Sequence, residues 1–197
     1  MKLIESKTYK NLARAFAGEC MAQTRYKFVE YGARKEGFVT LAEVIDTVIY
    51  QEFNHARMIY TFIETASDGI IPNIEISAGF PFKEKWNLME NLKLGAEDEA
   101  AEAKLYTEFE KTARKEGFED IAGLFKNMTQ VEICHQKLFE DLYNQMSSNT
   151  LYKRPEAVTW KCSSCGYESV GKSAPKTCPL CQAKQGSVML KLNDGAN

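Results

Sequence analysis

Two stretches of the chain decide its fold: Ile45-Asp-Thr-Val-Ile-Tyr-Gln-Glu52-Phe-Asn-His55-Ala-Arg-Met-Ile-Tyr-Thr-Phe-Ile63 and Ile121-Ala-Gly-Leu-Phe-Lys-Asn-Met-Thr-Gln-Val-Glu132-Ile-Cys-His135-Gln-Lys-Leu-Phe-Glu-Asp-Leu142. Through the first, counting from Leu41 just before it, Leu41, Ile45, Val48, Glu52, His55, Ile59 and Phe62 recur in steps of four and three; in the second, Ile121, Phe125, Met128, Glu132, His135, Phe139 and Leu142 do the same. That spacing is the apolar stripe of an α-helix. Glu52, His55, Glu132 and His135 stand on the stripe, where an unpaired charge is costly to bury. Positions three apart share a helix face, so each Glu-x-x-His pair can aim at one metal ion.

Working outward, the segment Arg34-Lys-Glu-Gly-Phe38 reappears as Arg114-Lys-Glu-Gly-Phe118, 80 residues later. The same shift relates Leu12 to Leu92, Glu19 to Glu99, Tyr26 to Tyr106, Glu52 to Glu132 and His55 to His135. Leu12, Glu19, Tyr26 and Ala33 define a first helix, and Leu92, Glu99, Glu102, Tyr106 and Phe109 a third. Gly37 and Gly117 stand where helices one and three should stop. Two copies make a duplicated helix hairpin with pseudo-twofold symmetry rather than a solenoid. Asp68 to Phe82, with Gly69, Pro72, Gly79 and Pro81, is too long for a tight turn and reads as a crossover. The expected fold is therefore mainly α: a four-helix bundle with a long crossover, of the ferritin-like kind.

A glutamate from each of two helices plus Glu-x-x-His from each of the other two is the ligand set of di-iron and di-manganese carboxylate bundles. Four carboxylates balance two divalent cations. Carboxylate and imidazole ligands with open positions suit iron or manganese better than a closed zinc site. Glu102 follows Glu99 by three and can add a fifth carboxylate, whereas Glu97 and Asp98 read as solvated. Tyr26 and Tyr106 share the stripes of Glu19 and Glu99 and read as core, or as hydroxyls aimed at the site.

Composition changes near Ser147, where helical periodicity gives way to Cys, Gly, Pro and Ser. Residues 1–147 are expected as the bundle, 148–156 as a linker and 157–193 as a small second domain. In that domain Cys162-Ser-Ser-Cys165 and Cys178-Pro-Leu-Cys181 are separated by twelve residues. Four thiolates so spaced make a tetrahedral site for zinc or a single iron. So few large apolar groups would hardly fold without a metal. Cys20 and Cys134 read as small packing residues.

The composition bounds the rest. The 197 residues carry a net charge of −2, without the basic excess of a nucleic-acid binder. No apolar run reaches the ~18 residues of a membrane span. Met1 to Lys10 is polar, which points to the cytoplasm, where six cysteines are better thiols or metal ligands than disulfides.

Together Ala17-Gly-Glu19, Glu52-Phe-Asn-His55, Glu99-Ala-Ala-Glu102, Glu132-Ile-Cys-His135, Cys162-x-x-Cys165-Gly166 and Cys178-Pro-x-Cys181 resemble the rubrerythrin family over nearly the whole chain. The resemblance implies a ferritin-like di-iron bundle followed by a rubredoxin-like domain with one iron on four cysteines. It also implies a cytoplasmic peroxidase reducing hydrogen peroxide to water in oxidative-stress defence. Glu52 and Glu132 would bridge the irons and Glu19 and Glu99 would be terminal ligands. His55 would hold a position that Glu102 takes over on oxidation. Electrons would come from a rubredoxin-type carrier or an NAD(P)H-dependent reductase, and a homodimer or higher oligomer would bring one subunit's cysteine domain to its partner's bundle. Two other readings are a ferroxidase or iron-handling protein, and a zinc-ribbon binding module on a metal-free bundle.

Overall fold

The computed structural model describes residues 1–77 and 87–191. Gly79 and Pro81 of the expected crossover, and residues 192–193 of the expected second domain, lie outside that range. Four long helices carry the fold among the described residues: α1 (Lys7–Lys35), α2 (Val39–Thr65), α3 (Leu88–Glu116) and α4 (Glu119–Ser147). A single 3-10 turn, Leu3–Glu5, leads into α1, and Ser6 caps it by accepting from the Tyr9 amide at 3.0 Å. Asn87 does the same for α3, accepting from the Glu90 amide at 3.0 Å. Such caps satisfy amides that have no partner within their own helix.

Gly37 and Gly117 end α1 and α3 as the repeat requires, with φ of 85° and 86°. An L side chain avoids that left-handed region. The chain then turns within two residues into α2 and α4. These are the two hairpins of the repeat, and they pack antiparallel across each other: Glu116, at the end of α3, accepts from the amides of Lys7 and Thr8 at the start of α1, at 3.1 and 2.8 Å.

Two apolar clusters fill the bundle. One gathers Tyr26, Val29, Leu41, Ile45, Leu92 and Phe139 toward the α1–α2 turn. The other gathers Leu12, Ile59, Tyr106, Ile121, Phe125 and Met128 toward the α3–α4 turn. Between them lies a polar layer that holds Glu19, Glu52, Glu99 and Glu132. Asp98, expected as solvated, is instead in an ion pair with Arg25 of α1, with only 14% of its side chain exposed. The helix phase alone placed it off the stripe; the neighbouring helix covers it.

After α4 the chain forms a three-stranded antiparallel sheet of order β2-β1-β3: β1 (Lys153–Cys162), β2 (Glu168–Ser173) and β3 (Val188–Leu190). Strand β1 thus begins inside the stretch expected as linker, because Lys153 already pairs with Ser173. Trp160, Ala174 and Val188 make a small core. The sheet leans on the bundle at the α1–α2 turn, where Thr40 Oγ1 donates to the carbonyls of Gly186 at 3.2 Å and Val188 at 3.4 Å. Phe38 and Tyr152 stack across the same contact, 6.4 Å between centroids.

Candidate metal centres

Each helix brings one glutamate to the middle of the bundle, and α2 and α4 each add a histidine one turn on. Glu19, Glu52, Glu99 and Glu132 are all 0% exposed, and His55 and His135 5% and 3%. Their donor atoms form two groups, Glu19-Glu52-His55-Glu132 and Glu52-Glu99-Glu132-His135, with all atoms of a group within 4.8 Å of one another. The repeat operation exchanges the groups, and both contain Glu52 and Glu132. His55 Nδ1 lies 3.2, 3.4 and 3.3 Å from oxygens of Glu52, Glu19 and Glu132. His135 Nδ1 lies 3.0 Å from both Glu52 and Glu132 and 3.8 Å from Glu99.

The donor set fits a pair of cations. Among the described residues, Glu19 Oε2, Glu52 Oε1, Glu99 Oε2 and both oxygens of Glu132 are buried without a hydrogen-bond partner. Unpaired buried carboxylate oxygens are expensive unless they coordinate a metal. The protonation pattern tells the same story. Burial raises Glu19 well above its usual value, opposed by His55 and helped by the charges of Glu52 and Glu132. Burial also lifts Glu99 to about 8. At Glu52, burial is overcome by the adjoining imidazoles of His135 and His55, which bring it to about 2. The histidines are buried too, yet the carboxylates around them raise His55 to about 10 and His135 to about 12.

Tyr26 and Tyr106 are fully buried, and each reaches the other repeat: Tyr26 donates to Glu99, and Tyr106 to Glu19. Burial, with the adjoining glutamates, holds both phenols well above their usual range. They are core residues and aimed hydroxyls at once, two roles the sequence left as alternatives. Glu102 lies outside both groups. Its carboxylate packs against Gly18, where an added Cβ would come within 3.1 Å of Oε1. It lines a cavity of about 270 Å³ with Arg14, Met21, Arg25, Asp98 and Tyr106. Burial and the charges of Glu19 and Glu99 raise Glu102 well above the carboxylate range. Cys20 is partly buried and Cys134 exposed, and neither joins a metal-ligand group.

The periodicity missed Gln51, whose Oε1 lies 2.8 Å from His135 Nε2. Gln51 is off the apolar stripe, and it serves a histidine 84 positions away. Only the repeat gave a hint, since its counterpart is Val131.

In the second domain the four cysteines are free thiols, and Cys162, Cys165, Cys178 and Cys181 come together with all sulfurs within 4.8 Å. Cys162 and Cys181 sulfurs are 3.8 Å apart, and those of Cys165 and Cys178 3.6 Å. A tetrahedron with metal–sulfur bonds of ~2.3 Å has edges of ~3.8 Å, so the thiolates need hardly move to close on an ion. Backbone amides of Cys181 and Leu180 donate to Cys178 and hold its thiol down at about 7. The two knuckles are built alike: Gly166 N donates to Cys162 O at 2.8 Å, and Gln182 N to Cys178 O at 3.0 Å. Among the described residues no helix is long and apolar enough to cross a membrane.

Known proteins share this sequence pattern and fold. The rubrerythrin family model matches residues 10–95 and 90–162, and that of the rubrerythrin rubredoxin-like domain matches residues 160–187. Rubrerythrin of Clostridium perfringens is 36% identical over 89% of this chain and 90% of its own. Rubrerythrin of Porphyromonas gingivalis is 37% identical over 91% and 88%. Among solved structures, nigerythrin in a mixed-valence state superposes with a TM-score of 0.60 at 22% identity, over 93% of this chain and 86% of that one. A bacterioferritin of Desulfovibrio desulfuricans superposes with a TM-score of 0.64 at 19% identity, over 73% and 82%. These two likenesses concern the fold, a ferritin-like bundle.

Proposed function

The chain belongs to the rubrerythrin family of iron proteins, and on that footing we propose that it is an oxidoreductase reducing hydrogen peroxide to water. The observation that carries this reading is the buried layer of four glutamates and two histidines, joined in one chain to a four-thiolate site. In it, Glu52 and Glu132, which both groups share, would hold both of two irons. Glu19 and His55 complete one side, and Glu99 and His135 the other. When bound there, iron supplies the electrons and the Lewis acidity that O–O cleavage needs.

The chain's own residues do the rest. The cavity at Glu102 admits a molecule as small as peroxide from the α1–α3 face. Making two waters consumes two protons, and Glu102 holds one on its carboxyl at the inner wall, one turn from Glu99. Tyr26 and Tyr106 hold Glu99 and Glu19 in place through their hydroxyls. The apolar clusters on either side keep bulk water from the layer.

Cys162, Cys165, Cys178 and Cys181 would hold a single iron, which when bound would supply one-electron redox chemistry. From Glu132 to the end of α4 at Ser147 is about 22 Å at ~1.5 Å per residue. The thiolates of the same chain stand beyond that end, so a homodimer that sets each cysteine domain against the other subunit's bundle is the working unit. An external carrier or reductase feeds that iron, and free thiols throughout suit a reducing cytoplasm in which the enzyme removes peroxide.

The test is anaerobic. Reduced, iron-loaded protein should be reoxidised faster by peroxide than by dioxygen. Faster reaction with dioxygen, with a ferric mineral accumulating on added ferrous iron, would make it an iron-handling protein instead.

A further inference from the structure

The two halves of the layer are not equivalent, although the repeat makes their ligands so. His135 meets the carboxylates through Nδ1, so Nδ1 is the atom that can face a metal. Its other nitrogen, Nε2, then carries the proton and donates to Gln51 Oε1 at 2.8 Å. Histidine ligands are commonly held this way, by a partner that accepts from the far nitrogen and so fixes tautomer and ring orientation. Gln51 comes from α2, the helix opposite, and so fixes the ring across the bundle rather than along α4. The repeat places Val131 where His55 would need the same partner, and valine has no hydrogen-bonding side chain. Among the described residues, His55 meets Glu52, Glu19 and Glu132 through Nδ1, and no side chain pairs with its Nε2.

We propose that Gln51 is a positioning residue that makes the metal site unequal: a divalent ion binds first and more tightly beside His135, and second and more weakly beside His55. The inference rests on the reading of the six side chains as a two-metal site. Loss of a partner of this kind costs roughly 10–100-fold in metal affinity. Gln51 is exposed, so water can replace part of its contribution, which places the gap near the lower figure, about tenfold.

The test uses cobalt(II) alone on metal-free, full-length protein, with thiolate charge-transfer bands reporting the cysteine site and weaker visible bands the bundle. The native bundle should take up two ions in steps about tenfold apart. Gln51→Leu should weaken the first step to the level of the second, leaving the second step and the thiolate site unmoved. Gln51→Glu, which keeps an acceptor, should restore the gap. Because Gln51 already bonds His135 in the metal-free protein, thermal unfolding of the metal-free variants measures that loss separately, and a first step weakened in Gln51→Leu but kept in Gln51→Glu identifies the effect as one on metal binding. Two equal steps in the native protein, or an unaltered first step in Gln51→Leu, would overturn the inference while leaving the two-metal site standing. A bundle that binds no cobalt would overturn the site itself.

Discussion

At the scale of single residues, the polar layer trades protons for metal, and its pH dependence follows. In the metal-free protein His55 and His135 keep their protons to about 10 and about 12, against an ordinary 6.5. A folded value raised this way stabilises the fold fully below pH ~6.5 and loses that contribution as pH climbs toward the folded value. Glu99, at about 8 against 4.5, loses its contribution over the window between those values. Metal-free protein should therefore melt at progressively lower temperature from pH 6 to pH 9. Bound metal needs the deprotonated ligands, so affinity should rise over the same range and protons should be released on loading. Calorimetry of chelator-treated and reloaded protein decides it: a melting temperature flat or rising with pH without metal would mean that the histidines are not paired as described. The six side chains that meet in the layer were legible in the sequence, because charge on an apolar stripe is conspicuous, but so was Glu102, which was read with them and lies outside both groups. The tyrosine crossing was not, since Tyr26 and Glu99 belong to different helices and no periodicity within one helix relates them. Gln51 escaped for the same reason.

At the scale of elements, the repeat was legible and so were the helix ends, because Gly37 and Gly117 mark a backbone conformation rather than a contact. Duplicated sequence does not mean duplicated work, however. Glu116 reaches across to α1 and takes the Lys7 and Thr8 amides and the Thr8 hydroxyl, the last at 2.6 Å, whereas its counterpart Glu36 is exposed beyond the end of α1. Leaving water would raise the Glu116 carboxyl, but hydrogen bonds from Thr8 and Lys7 hold it below its usual 4.5. Its contribution is thus present above pH ~4.5 and fades on acidification below that. Glu116→Ala should cost about 1 kcal/mol, the usual loss for a helix N-terminal cap, and Glu36→Ala close to nothing. Denaturant unfolding of the two variants at neutral pH makes the comparison, and equal losses would show that Glu116 does not act as a cap. Nothing in the sequence distinguishes the two glutamates, because the difference lies in which helix start each copy faces.

At the scale of the whole molecule, the knuckles announced a second domain, but its seat on the bundle could not be read. That seat depends on backbone approach. Gly186 lies so close to the Gly37 carbonyl that a Cβ built on it would overlap the oxygen. Thr40 Oγ1 donates to Gly186 and Val188 carbonyls beside it, and Phe38 stacks on Tyr152. The other copy of the repeat has Phe118 but carries Asp120 in place of Thr40, and a carboxylate cannot donate to a carbonyl. The end of α4 and this turn thus select one end of a pseudo-symmetric bundle for the cysteine domain. Because backbone cannot yield as a flexible side chain can, Gly186→Ala should lift the domain off its seat without disturbing either metal site. The iron–thiolate absorption should persist, the radius of gyration from solution scattering should grow, and cleavage near residues 148–152 by added protease should quicken. If electrons pass from a docked domain to a bundle, rereduction of the bundle iron through the cysteine site should slow, while direct reoxidation by peroxide keeps its rate. Unchanged scattering together with unchanged rereduction would mean that the contact at Gly186 does not hold the domain in place.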